Sequence, residues 1–87
     1  MAVVVLPRSL VVLFPGSGRR ETANGATVIE LIADLDRRWP GLRDRLCDPG
    51  PVLRAFINVY VDGLPASLAT PVAPGSTIHV LPAVAGG

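Results

Sequence analysis

From Thr27 to Trp39 the sequence reads as an amphipathic helix, the clearest element in the chain. Val28, Leu31, Ile32, Leu35 and Trp39 recur at a spacing that places all five on one helical face. Thr27 followed by Glu30 has the form of a capping box. The Thr27 hydroxyl accepts from one orphan backbone N–H, and the Glu30 carboxylate reaches back to another. Arg37 and Arg38 fall in the last turn, where the helix dipole favours cations. Pro40-Gly41 ends the helix. Asp34 and Asp36 are two residues apart, do not share a face, and read as solvated. Such a helix must bury its stripe against something, and the segments around it read mainly as strands. The expected class is therefore α+β in two layers, with a sheet covered on one face by one main helix.

The strands follow from β-branched runs and turn signals. Ala2 to Leu6 reads as a buried strand. Pro7 interrupts it, and the apolar character resumes over Val11 to Phe14 before the turn cluster Pro15 to Gly18. Arg19 to Ala23 reads as a polar hairpin partner of the first strand, closed by Asn24-Gly25. Leu42 to Leu46 is long enough for one short helical turn. In Phe56 to Val61, Ile57, Val59 and Val61 alternate with Phe56, Asn58 and Tyr60. The aliphatic set is expected to face the helix and the other set to face out or toward a partner. Asp62-Gly63 is a hairpin turn signal. Leu64 to Val72, broken by two prolines, has room for a short edge strand, and Thr77 to Leu81 is the last strand. Residues 1–81 are read as one domain and residues 82–87 as a flexible tail ending in Gly86-Gly87.

Composition narrows the function. A chain of 87 residues makes one domain, with little room for a pocket lined by several catalytic groups. Net charge is +1, and the arginine pairs Arg19-Arg20 and Arg37-Arg38 have no aromatic row beside them, so nucleic-acid binding is not expected. All eight basic residues are arginine. With no lysine, the chain cannot accept an isopeptide bond on a side chain of its own. The one cysteine, Cys47, makes no internal disulfide and no metal site, and reads as a small semi-buried hydrophobe. His79, alone on a strand with no evident Asp or Ser partner, reads as structural or exposed, not catalytic. No stretch approaches the roughly 20 apolar residues of a membrane span. The expectation is a soluble cytoplasmic protein that works on a partner.

The terminal Gly-Gly pair would arise by chance in roughly 0.5% of chains at ordinary glycine usage. Taken with the one-helix sheet and the segment His79-Val80-Leu81-Pro82-Ala83-Val84-Ala85-Gly86-Gly87, it resembles the ubiquitin-like sulfur carriers of molybdopterin, thiamin-thiazole and cysteine biosynthesis. Leu81 to Gly87, Arg45-Leu46-Cys47-Asp48-Pro49 and Phe56-Ile57-Asn58-Val59-Tyr60-Val61 are most similar to carriers that feed thiocarboxylate-dependent cysteine synthase. The resemblance implies a β-grasp fold. It also implies that the Gly87 carboxylate is adenylated and converted to a thiocarboxylate, with an ATP-dependent activating enzyme and a sulfur-accepting synthase as partners. No cofactor or metal is expected on the carrier itself; ATP belongs to the activating enzyme.

The physics of the tail fits that chemistry. A free α-carboxylate, with a pKa of about 3.3–3.7, is ionised and a poor electrophile at neutral pH, so it needs activation. Gly86, with Ala85 and Val84 behind it, leaves a narrow channel unobstructed, and six residues from Pro82 reach at most about 20 Å. Phe56, Asn58, Tyr60, His79 and Leu81 are the candidate partner interface, and Tyr60 leads because outward aromatics are enriched at binding sites. Three alternatives stay open. One is the small subunit of molybdopterin synthase, another a modifier conjugated to lysines of other proteins, and the third a non-covalent binding module.

Overall fold

A computed structural model describes residues 1–82. In chain order the elements are β1 (Ala2–Val5), α1 (Arg8–Leu13), β2 (Arg20–Ala23), α2 (Val28–Arg38), α3 (Leu42–Leu46), β3 (Cys47–Asp48), β4 (Val52–Leu53), β5 (Ile57–Val61), β6 (Leu64–Ala66) and β7 (Thr77–Pro82). Five strands form a mixed sheet in the order β2-β1-β7-β5-β6, and β3-β4 is a separate small ribbon. β1 and β7 run parallel at the centre, and the remaining pairs of the main sheet are antiparallel. A β1-β2 pair, a crossing helix and a final strand inserted beside β1 make the β-grasp arrangement. No helix of the described residues is long and apolar enough to cross a membrane.

The helix forms as its sequence dictates. Glu30 N–H donates to Thr27 Oγ1 at 3.4 Å. Glu30 Oε1 in return accepts from Ala26 N–H at 3.2 Å, one residue ahead of the cap itself. Gly25 makes the tight entry possible, since a Cβ there would lie 2.7 Å from Glu30 Cβ and 2.9 Å from Leu31 N. Val28, Leu31, Ile32 and Leu35 are buried, and with Val4, Val59, Ile78 and Val80 from the sheet and Leu6 just after β1 they fill the core. Leu42 and Leu46 of α3 complete it from the side. Val59 is the fully buried member of β5; Ile57 and Val61 are half-buried against the same core. Trp39 closes the helix as its C-cap, partly buried, with the Arg38 guanidinium 5.1 Å from its ring centre.

Three local expectations are corrected. The apolar stretch after Pro7 is a helix, α1; β2 is the antiparallel partner of β1 as expected, with α1 in the connection between them. β1 has lost its sheet partners by then, because Pro7 has no N–H to donate and β2 begins only at Arg20. Unpaired backbone groups then bond locally, and the Pro7 carbonyl accepts from both Leu10 and Val11 N–H. Only Leu10 of α1 is buried. Phe56 is not part of the strand: its φ is 69°, in the left-handed region, and β5 begins at Ile57. Asp34 and Asp36 are not simply solvated. Asp34 accepts from Asn24 N–H at 3.0 Å and from Arg37 at 2.6 Å. Asp36 Oδ1 accepts from Gly41 and Arg43 N–H at 3.1 and 3.0 Å, which stitches α2 to α3.

Candidate functional site

The face of the sheet turned away from α2 gathers most of the expected interface. Alternation puts Ile78 and Val80 of β7 in the core and His79 and Leu81 on the other side. The register then decides who sits beside them. His79 lies opposite Tyr60, and Leu81 opposite Asn58, across the β5-β7 pair. Four of the five expected residues are thus two adjacent cross-strand pairs. Asn58 is exposed, Leu81 is 44% exposed, and Tyr60 and His79 are half-buried. Phe56 stands just before β5 and is 62% exposed. Its neighbour Ile57 pairs with Pro82, the last described residue of β7. A positive φ at a non-glycine residue is uncommon.

The same row continues through strands that the alternation of β5 could not reveal. Val5 of β1 lies opposite His79, Arg20 of β2 opposite Val5, and Pro65 of β6 opposite Tyr60. Arg20, Val5, His79, Tyr60 and Pro65 therefore form one line across all five strands. The signal for Val5, Arg20 and Pro65 was present as strand parity, but it needs the strand order before it means anything. Gly87, Gly86, Ala85 and Val84 lie outside the described residues. What the fold supplies is their root: β7 carries the chain to Pro82 at the end of the sheet.

One other feature of the described surface is a candidate chemical site. A cleft of about 470 Å³ opens beside the β3-β4 loop, lined by Arg43, Asp44, Cys47 and Pro49 among others. Its one thiol, Cys47, is buried, and burial pushes its pKa up, so it stays protonated and unreactive at neutral pH. Among the described residues no three His, Cys, Asp or Glu side chains are placed to share a metal ion. The outer face presents Tyr60, the half-buried aliphatics Val3 and Val5, and Arg20, beside the end of β7.

Known proteins match this chain over nearly its full length. The model of the ThiS family matches residues 12–87. The sulfur carrier protein CysO of Mycobacterium tuberculosis (strain H37Rv) is 37% identical over 78 residues, which cover 83% of this chain and 84% of that protein. The crystal structure of the Amycolatopsis orientalis BexX/CysO complex contains a chain with a TM-score of 0.89 and 37% identity, each chain covered in full. The crystal structure of SAMP1 from Haloferax volcanii superposes with a TM-score of 0.76 at 30% identity, covering 99% of this chain and 98% of that one.

Proposed function

The chain belongs to the ThiS family of ubiquitin-like sulfur carriers, and from that premise we propose that Gly87 is its working residue. The observation that carries the proposal is the reach of the family match, which runs to Gly87 and so includes the Gly86-Gly87 pair. The Gly87 carboxylate attacks the α-phosphate of ATP on an activating enzyme, and pyrophosphate leaves. A sulfur nucleophile then displaces AMP from the acyl adenylate and leaves a terminal thiocarboxylate. That sulfur passes to a biosynthetic enzyme, with cysteine synthesis as the first assignment because the M. tuberculosis relative is named CysO. The protein acts as a co-substrate and contributes no catalytic side chain. Its folded body docks on the partner through the outer sheet face, while the residues beyond Pro82, which is still paired in β7, enter the channel.

The experiment is a conversion followed by mass. The full chain is incubated with an activating enzyme of its own organism, ATP and sulfide. Intact-mass analysis should show one oxygen exchanged for sulfur, and fragmentation should place it on Gly87. The same product must form in Cys47→Ser. Added sulfur found only on Cys47 would remove the proposal. The likeness to SAMP1, a small archaeal modifier protein, favours one second reading: conjugation of Gly87 to lysines of other proteins. That reading predicts covalent adducts on those proteins, and none on a side chain of this one, which has no lysine.

A further inference from the structure

If Gly87 is the working residue, any enzyme that acts on it must approach the end of the sheet from which the tail departs, because the tail spans at most about 20 Å. Three arginines gather at that end. β1 and β7 are parallel, so the exit of β1 into Pro7 and Arg8 lies at the same end as Leu81 and Pro82. β2 is antiparallel to β1, with Arg20 opposite Val5, so Arg19 and Arg20 enter the sheet there too. Arg19 is engaged with the fold: its Nε donates to the Leu6 carbonyl at 3.4 Å. Arg8 and Arg20 are exposed, and among the described residues neither has a carboxylate within salt-bridge distance.

The surroundings leave that charge uncompensated. The outer face is built from Val3, Val5, Thr22, Asn58, Tyr60, His79 and their row neighbours, and no Asp or Glu is among them. Glu21 alternates to the other side, where it accepts from Gly18 N–H at 2.6 Å and stands 3.9 Å from Arg38. Arg54, on the β5 side of the tail root, is already 3.6 Å from Asp48. Asp62 lies at the opposite end, in the β5-β6 turn.

We infer that Arg8 and Arg20 form a cationic rim beside the tail root, and that the rim docks on an acidic lip around the tail channel of the ATP-dependent activating enzyme. That enzyme is the occupant because it must take the tail before any other chemistry occurs. The inference rests on the carrier reading above. Exposed rim charges act mainly on encounter and weaken with salt, whereas the Tyr60-His79 surface beside them supplies the apolar contact.

The test is ATP–pyrophosphate exchange by the activating enzyme of the same organism, with the full chain as substrate, over a series of salt concentrations. R8E/R20E is compared with wild type and with R43E/R45E, which makes the same change of net charge on α3, in the helix layer. R8Q/R20Q repeats the test without charge reversal, and circular dichroism checks folding. At low salt R8E/R20E should raise KM by at least about tenfold with kcat unchanged, and the gap should close as salt rises. R8Q/R20Q should fall between, and R43E/R45E should stay near wild type. Equal KM for R8E/R20E and wild type overturns the rim while leaving the carrier reading intact. So does an equal rise in both charge-reversal variants, because net charge and not position would then be at work. A fluorescent RNA oligonucleotide that binds wild type but not R8E/R20E, with KM unchanged, gives the rim to nucleic acid and also overturns it. If wild type itself supports no exchange, the carrier reading falls and the rim falls with it.

Discussion

Asp62 shows how much one residue can hold. With Gly63 it makes the two-residue connection between Val61 and Leu64, and both have positive φ, 49° and 87°, as a type I′ hairpin turn requires. Its carboxylate then reaches across to β7. Oδ1 accepts from Thr77 N–H and Oδ2 from the Ser76 hydroxyl, each at 2.9 Å. The Thr77 amide first, and the Ser76 hydroxyl second, hold the Asp62 carboxyl below the usual carboxylate range. A depressed folded pKa means that the ionised form supports the native state above the unfolded value, about 3.9, and that this support is lost as pH falls through the folded value. Asp62→Asn keeps a residue that tolerates positive φ but removes the titration. Thermal midpoints between pH 6 and pH 2 should therefore converge: wild type leads at pH 6, and its lead shrinks below about pH 4. A constant difference across the range would show that the carboxylate has no part in it.

At the scale of elements, α2 carries the fold and α1 decorates it. α2 sets four buried residues on the sheet, whereas α1 buries only Leu10 and leaves Val12 and Leu13 exposed. Leu35 is fully buried, so Leu35→Ala should cost about 2–5 kcal/mol, read as a lower urea midpoint with an unchanged slope. Val12→Ala, at an exposed site of α1, should stay within about 0.5 kcal/mol. A small cost at Leu35 would mean that the helix stripe does not face the sheet.

The whole molecule is polarised between its two ends. One end holds the Asp62 turn; the other gathers Arg8, Arg20, Phe56 and the root of the tail. Among the described residues the buried hydrophobic core runs from Ala2 to Val80, and Leu81 and Pro82 are exposed. Deleting Gly86-Gly87 should therefore abolish sulfur transfer and leave the thermal midpoint unchanged. Activity and midpoint are measured on the same sample. Retained transfer in the truncated chain would exclude the terminal carboxylate as the sulfur-bearing group.

What the sequence determined by itself was local. The α2 boundaries, the Thr27-Glu30 cap, the short turn of α3 and the Asp62-Gly63 turn depend on residues at most four apart, so their signals survive in one dimension. The parity of β5 and β7 was legible for the same reason, and it picked out Asn58, Tyr60, His79 and Leu81. Only the tertiary structure decided which strands are neighbours. That choice lines Tyr60 up with His79, Val5 and Arg20, although Val5 and His79 are 74 positions apart in the sequence. It also decided the fate of residues 8–13. Val11 and Val12 suit a strand, but strands need a partner edge, and none reaches that segment once β1 has passed Pro7. Phe56 left the strand for a related reason: the chain has to turn there, since Ile57 N–H bonds back to the Arg54 carbonyl, and alternation carries no information about where pairing starts. Side-chain pattern fixes which way a residue points within its element; backbone pairing between distant segments fixes what it points beside.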